Sequence, residues 1–238
     1  MRHCARIFAT TAVGFMLSAP QALGDDAATC ATSNDALIAI ATCTRAIASG
    51  GDEGRKLSSL YNQRGIAYAK RGYLEGAIAD YTEAIRLDPK HATAYYNRGK
   101  AWRAKGNYDR AIADYTEAIK ITPNDTDAWN NRCFARAIWG RELQLALADC
   151  NEALRLAPNH PGDLDTRGVT YLKLGQYDMA IADYDAVLKI VPNIPDSLYG
   201  RGMAKRRKGD ATGGDADIAA AKAIRADIAD VFAGYGVK

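Results

Sequence analysis

The sequence has 238 residues, of which 48% are hydrophobic and 25% are charged, a balance typical of a folded chain rather than a disordered one. Its length allows one or two ordinary domains. The formal net charge of +3 falls to +1 when Arg2 and Arg6 are removed with a leader segment. A nearly neutral chain has no global field that attracts nucleic acid or an anionic membrane, so neither partner is expected.

The N-terminus has the pattern of an export signal. Residues 1–6 carry two arginines, residues 7–17 are an apolar run, and Ala22-Leu23-Gly24 supplies the small residues that a signal peptidase reads. The apolar run is too short for a permanent membrane anchor. We expect residues 1–24 to be a signal peptide cleaved near Gly24/Asp25, and the protein to be periplasmic or secreted. The alternative is an uncleaved or disordered N-terminus.

Export changes how the cysteines are interpreted. Cys4 leaves with the signal, and four cysteines remain: Cys30, Cys43, Cys133 and Cys150. An even number in an oxidising compartment favours two disulfides, for which three connectivities are possible.

Residues 25–57 are predicted to form an N-terminal arm and one helix. The arm contains Cys30, and the helical pattern runs from Asp35 to Ala48. The end of this helix matches the second helix of later repeats, so we interpret it as half a repeat whose first helix is absent. Glycines and acidic residues at 49–54 then predict a loop.

A step of 34 or 35 residues organises the rest of the chain. Each copy has two apolar halves of helical period, joined at a turn glycine, and most copies end on a proline. The turn glycines are Gly72, Gly106, Gly140, Gly175 and Gly209, and the prolines are Pro89, Pro123, Pro158 and Pro192. The pattern predicts five helix–turn–helix units, at 58–91, 92–125, 126–160, 161–194 and 195–226.

The clearest copy carries large, small and turn residues in a fixed order: Tyr95, Gly99, Trp102, Gly106, Tyr108, Ala111, Tyr115, Ala118 and Pro123. In these positions the chain resembles the tetratricopeptide repeat (TPR) family, from about residue 58 to residue 226. The resemblance implies an all-α, right-handed superhelical solenoid whose first helices line a concave groove. Residues 227–238 are expected to form a capping helix and tail, with Phe232 and Tyr235 on the face that covers the last unit.

Two units depart from the pattern. The third has one extra residue between Gly140 and Ala146, which predicts a longer turn, and Arg136 where its neighbours have an aromatic residue. The fifth has Lys205 at that same position and Ala226 in place of the closing proline.

The third unit also has cysteines at two special positions. Cys133 stands where other units have glycine, and Cys150 stands where three of them have tyrosine. These positions face one another where the helices of a hairpin are closest, so we predict a Cys133–Cys150 disulfide. Cys30–Cys43 would then hold the arm against the half repeat. The alternative is buried thiols that act as small apolar groups.

A charge pattern recurs in all five units. The arginines on the first helices are Arg64, Arg98, Arg132, Arg167 and Arg201, and the aspartates on the second helices are Asp80, Asp114, Asp149, Asp183 and Asp217. Because each arginine has a matching acid, we predict a structural ladder of ion pairs. The alternative is a basic stripe that binds an anionic ligand.

The resemblance also implies which side chains face the groove. Candidate binding residues are Tyr96, Lys100, Arg103, Asn130, Phe134, Tyr199 and Met203. The three aromatic residues among them are the expected anchors for an extended peptide or a partner helix. Asn62 and Ile66 do not fit the clamp with which chaperone-binding TPR domains hold a C-terminal carboxylate, so such a ligand is not indicated.

The remaining candidates for chemistry are weak. The basic run Lys205–Lys208 is either a solvated helix end or a contact for an anionic surface or acidic partner. His91 and His160 lie in loops, where we expect solvated side chains rather than metal ligands. The residue patterns of common catalytic sites are absent, so we expect no enzyme activity, cofactor or metal.

The sequence therefore predicts an exported scaffold that binds a protein or peptide partner in its concave groove. The alternative is an accessory or substrate-binding subunit of a cell-envelope enzyme system. Weak self-association through exposed end faces is a further possibility, and the sequence does not identify the partner.

Overall fold

The computed structural model describes residues 19–237 and, from residue 26, their side chains. Residues 1–18 of the predicted signal lie outside this part. The described residues form thirteen helices and no strand. The helices are α1 (Ala19–Thr32), α2 (Ala36–Ala48), α3 (Gly54–Lys70), α4 (Leu74–Leu87), α5 (Ala92–Ala104), α6 (Tyr108–Ile121), α7 (Thr126–Trp139), α8 (Leu143–Leu156), α9 (Pro161–Leu174), α10 (Tyr177–Ile190), α11 (Pro195–Lys208), α12 (Ala211–Ile224) and α13 (Ile228–Gly234).

The helices form hairpins that stack into an all-α solenoid. Five hairpins, α3/α4 to α11/α12, correspond to the five predicted units, and each packs against the next. At the turns, Gly140 and Gly175 have φ values of 75° and 72°, in the left-handed region where a side chain would be strained. Pro161 and Pro195 occupy the first positions of α9 and α11, where the missing N–H costs nothing.

The N-terminal arm is helical, which corrects the prediction of a missing first helix. Helix α1, of which residues 25–32 follow the predicted cleavage site, packs against α2 and completes a sixth hairpin. The Asp35 side chain begins α2 by accepting hydrogen bonds from the backbone N–H groups of Leu37 and Ile38. Cys30 and Cys43 are disulfide-bonded at the centre of this hairpin, with Cα atoms 4.8 Å apart. No repeat motif marks α1 in the sequence, because its residues do not match the glycine and aromatic positions that most of the other first helices share.

Glycine and tyrosine bring the two helices of most units together. A Cβ atom at Gly65, Gly99 or Gly168 would lie 2.6–2.8 Å from a ring atom of the tyrosine opposite, so only glycine fits. In the third unit Cys133 and Cys150 occupy these positions and are disulfide-bonded, with Cα atoms 5.4 Å apart and both side chains fully buried. The bond joins the helices where three of the other units use ring packing.

The extra residue of the third unit lies between the turn glycine and the second helix, because α8 begins three residues after Gly140 whereas α6 begins two residues after Gly106. Gly140 ends α7, and Glu142 takes a left-handed conformation with φ of 56° before α8 begins at Leu143. Ala146 and Cys150 remain fully buried. The insertion is therefore absorbed in the turn and leaves the packing register of α8 unchanged.

Helix α13 does more than cap the last unit. Ile228 is fully buried beside Ile218 and Ala221 of α12, as a capping helix requires. The rest of α13 then crosses the first helices α11 and α9, and Tyr235 reaches Phe134 on α7. The predicted cap thus also covers the concave side of the C-terminal units.

Candidate binding groove

Each of the five ladder arginines holds its aspartate through two hydrogen bonds. In every unit Nε and one terminal nitrogen of the arginine donate to the two carboxylate oxygens over distances of 2.7–2.9 Å. The pairs are mostly buried; for Arg132 and Asp149, 11% and 4% of the side chains are exposed. Planar two-point pairing of this kind is the geometry that favours arginine over lysine.

The remaining terminal nitrogen of each arginine donates to the second helix of the preceding hairpin. The acceptors, in chain order, are Thr44, Thr82, Thr116, Asn151 and Asp185, at 2.7–3.2 Å. The guanidinium groups are therefore taken up in contacts within and between hairpins. The acceptor row recurs at one position of the repeat, so an alignment of the units could have found it.

The ladder also explains why the third and fifth units lack an aromatic residue at one position of the first helix. In two of the other units Tyr68 and Tyr171 occupy this position and lie against ladder arginines. Arg136 instead donates to Oδ2 of Asp149 at 2.5 Å, and Lys205 lies 2.8 Å from Oδ2 of Asp217. In these two units a second cation replaces the aromatic ring.

The carboxyl pKa shifts of Asp114 and Asp217 have opposite directions. For Asp114, which has only Arg98, burial dominates and the pKa is raised. For Asp217, burial acts in the same direction, but Arg201 and Lys205 together outweigh it and the pKa is lowered. At Asp217 the two cations therefore outweigh the burial of the carboxylate.

The N-terminal half of the concave groove is open. A depression of about 400 Å³ lies between α3 and α5. Its apolar lining comes from Ile66, Ala69 and Leu74, and its cations are Lys70, Lys100 and Arg103. Lys100 and Arg103, both predicted groove residues, thus lie together on one open surface.

Three further predicted binding residues, Tyr96, Asn130 and Phe134, lie in the middle of the groove. The Lys100 ammonium lies 5.4 Å from the ring centre of Tyr96, and the Arg103 guanidinium lies 5.2 Å from that of Phe134. Burial is the main reason that the pKa of Tyr96 is raised to about 12. Arg103 Nε and Asn130 Oδ1 are enclosed without a hydrogen-bond partner among the described residues.

Helix α13 covers part of the C-terminal half of the groove, and a depression of about 390 Å³ remains beside it, lined by residues that include Leu172, Lys173, Met203 and Arg207. Phe232 is 1% exposed and packs on Tyr199, with ring centres 4.9 Å apart. Tyr199 is itself buried, and Met203 packs against the same apolar cluster. Tyr199 therefore contacts the chain's own helix, because the apolar face of α13 lies on the concave side as well as on the end of the stack, whereas Met203 stays partly exposed.

The end of α13 is held by backbone and lysine contacts. Gly236 has φ of 74°, and Val237 N–H donates to the carbonyl of Phe232, which closes the helix. Lys173 Nζ donates to the carbonyl of Tyr235 at 2.6 Å, and burial lowers the pKa of this lysine. Sequence reasoning placed Phe232 and Tyr235 on one helical face but not in the groove.

The basic run at the end of α11 makes contacts with acidic residues. Lys205 lies 2.8 Å from Asp217, Arg206 Nε lies 3.4 Å from Asp215 Oδ1, and Lys208 pairs with Asp178. His160 Nδ1 lies 3.1 Å from Asp163. Within residues 19–237 we find no cluster of side chains suited to a metal ion and no helix long and apolar enough to cross a membrane.

The stacked hairpins and the concave groove define an α-solenoid of helical repeats. Two family models, both described as tetratricopeptide repeat, match residues 62–126 and 133–223, and together they cover most of the five units. The chain belongs to the tetratricopeptide repeat family. A comparison with curated proteins found no match.

Several solved structures share the fold. The TPR protein YrrB, described as having an unusual peptide-binding site, aligns with a TM-score of 0.62 and 23% identity over 78% of this chain and 93% of YrrB. A TPR protein from Parabacteroides merdae aligns with a TM-score of 0.71 and 18% identity over 83% and 77% of the two chains. PilW, a type IV pilus biogenesis factor, aligns at 0.65 and 20% over 70% and 77%. At these identities the likeness concerns the fold alone.

Proposed function

We propose that this TPR protein is a non-catalytic scaffold that holds a peptide or a helix of a partner protein in the open half of its groove. The observation that carries the proposal is the depression between α3 and α5, which offers apolar side chains and cations on one concave surface. Such a surface suits a segment that inserts apolar side chains and places polar groups at fixed positions. The proposed contacts are Tyr96, Lys100, Arg103, Asn130 and Phe134.

The relatives support binding of this kind. YrrB is described as having a peptide-binding site, and PilW as a pilus biogenesis factor. In this chain α13 covers Tyr199 in the C-terminal half of the groove, so we place the partner segment on the surface formed by α3, α5 and α7. Tyr199 is no longer proposed as a contact.

The protein is also proposed to be exported. The leader pattern at residues 1–24 supports export, as do two buried disulfides, since such bonds persist in oxidising compartments. Mass spectrometry of the protein isolated from its native cells is expected to find Asp25 as the first residue. A chain that retains Met1, or four free thiols, would overturn this proposal.

Site-specific photo-crosslinking tests groove binding. A photoreactive amino acid at Lys100, which is exposed in the groove, is expected to form an adduct with a partner protein in intact cells. The same amino acid at Lys120, exposed on the second helix α6, is the control. Adducts from Lys120 alone would place the site elsewhere. An envelope enzyme in the Lys100 adduct would favour the accessory-subunit alternative, and a second copy of the chain would show self-association.

A further inference from the structure

We propose that the open half of the groove selects a partner segment that carries acidic side chains next to apolar ones. This inference rests on the proposed function and names the chemistry of its ligand. The described side chains that line the depression include three cations and no acid. Charge complementarity therefore points to a ligand with carboxylates.

These cations differ from the ladder arginines and from most of the basic run on α11. The five ladder arginines and the lysines at 205 and 208 each contact a carboxylate. Among the residues that the structure describes, Lys70, Lys100 and Arg103 have no carboxylate within ion-pair distance. A ligand can therefore engage them without first breaking an ion pair of the scaffold.

Two of the cations are positioned by aromatic rings before any ligand binds. Arg103 stacks on Phe134, and Lys100 lies over Tyr96. Arg103 also lies close enough to the buried hydroxyl of Tyr115 to oppose the rise of its pKa, which burial takes to about 12. Side chains held in place in advance lose less conformational entropy on binding, so they contribute more to affinity.

The guanidinium group of Arg103 lines the depression, with its Nε enclosed beside the Tyr115 hydroxyl. A ligand in the groove would therefore meet the terminal nitrogens of Arg103. A carboxylate that approaches from the groove is the acceptor that arginine pairs with most strongly. We therefore expect one acidic side chain of the ligand to bind at Arg103.

Acidic residues lie in the middle of the groove and beneath α13. Asp165 and Asp196 line the small depression under α13, next to Phe134 and Tyr235. Asp127 lies close enough to Tyr96 to raise the pKa of its hydroxyl. Acidic side chains of a ligand are therefore expected between α3 and Arg103, with the apolar side chains over Ile66 and Leu74.

Selection from a displayed library of random short peptides tests this inference with the purified protein. We expect the natural protein to enrich peptides that contain Asp or Glu next to apolar residues. The double variant Lys70→Glu/Lys100→Glu should bind an enriched peptide at least about tenfold more weakly, and raised salt should weaken the natural complex. Both lysines are exposed, so the fold is retained, which far-ultraviolet circular dichroism checks.

The control is Lys120→Glu/Lys189→Glu, which makes the same change of charge on second helices outside the groove. It is expected to bind the peptide within about twofold of the natural protein. Enrichment of neutral or basic peptides, or equal binding by the groove variant, would overturn the acidic specificity and leave groove binding standing. No enrichment of any peptide would overturn the proposed function itself.

Discussion

The ring of Phe134 on α7 meets the ring of Tyr235 edge to face, with 5.1 Å between the ring centres. This contact marks the boundary between the part of the groove that α13 covers and the open half. On one side α13 covers Tyr199, and on the other side Arg103 stacks on Phe134. Phe134 thus lies between the surface that α13 covers and the surface proposed to bind a partner.

Phe232→Ala is expected to release α13 while the N-terminal units stay folded. Removing a buried phenyl group costs about 3–5 kcal/mol, and a seven-residue helix has no stability of its own. Because solenoid units contact mainly their neighbours, the loss should stay local. Hydrogen exchange should show lost protection at residues 228–237 and unchanged protection in α3–α6. Asp230→Ala, on the exposed side of α13, is the control; equal exchange in both variants would contradict the prediction.

The disulfide of the third unit should be replaceable by the glycine–tyrosine pair of its neighbours. A tyrosine in place of Cys150 also needs space in the next unit, where Thr170 stands at the position of Ala101, Ala135 and Ala204. The variant Cys133→Gly/Cys150→Tyr/Thr170→Ala is therefore expected to keep most of its stability in reducing conditions.

Cys150→Tyr alone is the informative comparison for that exchange. The Cβ of Cys133 would crowd the new ring, so overpacking should cost about 1–3 kcal/mol beyond the loss of the disulfide, itself worth about 3 kcal/mol. Urea unfolding of the single and triple variants measures the coupling between the three positions. If the changes in unfolding free energy caused by the three substitutions simply add, the three positions are not coupled through packing and the prediction is wrong.

Asp149→Asn should be more destabilising than Asp114→Asn. Asp149 binds both Arg132 and Arg136, so its neutralisation leaves two mostly buried guanidinium groups without their anion. We expect a loss of about 3–5 kcal/mol for Asp149→Asn and a smaller loss for Asp114→Asn. Asp185→Asn, whose carboxylate is 55% exposed, should cost less than about 1 kcal/mol. Equal losses at all three positions, measured by chemical denaturation, would refute the role of the second cation.

Asp165→Asn should stabilise the protein near neutral pH. Burial raises the pKa of Asp165 to about 6, although Ser197 donates a hydrogen bond to it at 2.6 Å. The folded pKa lies above that of the unfolded chain, so ionisation is penalised only in the folded protein. This penalty is absent below about pH 4 and complete above about pH 6, and stability falls as the pH rises through that window.

The measurement for Asp165 is the difference in unfolding free energy between the variant and the natural protein across that window. The asparagine of the variant keeps an acceptor for the Ser197 hydroxyl but carries no charge. We expect the variant to be more stable by roughly 2 kcal/mol at neutral pH, with the difference vanishing near pH 4. A difference that does not change with pH would show that Asp165 is not the group responsible.

The repeat pattern predicted the solenoid because its signals are local. Turn glycines such as Gly106 require a left-handed backbone, and Gly99 is needed where Tyr115 approaches, so both leave marks at fixed spacing. Cys133 and Cys150 could be paired for the same reason, since they occupy facing positions of a known hairpin. Helix α1 has no such marks and was predicted as an arm.

The position of α13 in the groove could not be predicted from the sequence. The spacing of Ile228, Phe232 and Tyr235 indicates one apolar helical face, but it does not say which surface that face covers. The last units offer apolar residues on two surfaces, with Ile218 on the end of the stack and Tyr199 on the concave side. Whether one helix contacts both surfaces depends on the direction of the chain after Arg225. No local sequence pattern specifies that direction.

The three-point attachment of each ladder arginine has a mechanical consequence. Two of its bonds lie within one hairpin and only one reaches the preceding hairpin, so each hairpin is a stiff block and each junction is a softer joint. The joints differ: Arg201 reaches the charged Asp185 at 2.7 Å, whereas Arg64 reaches the neutral Thr44 at 3.2 Å. Bending of the solenoid should therefore concentrate toward its N-terminal end, where the width of the open groove can adjust to what it holds.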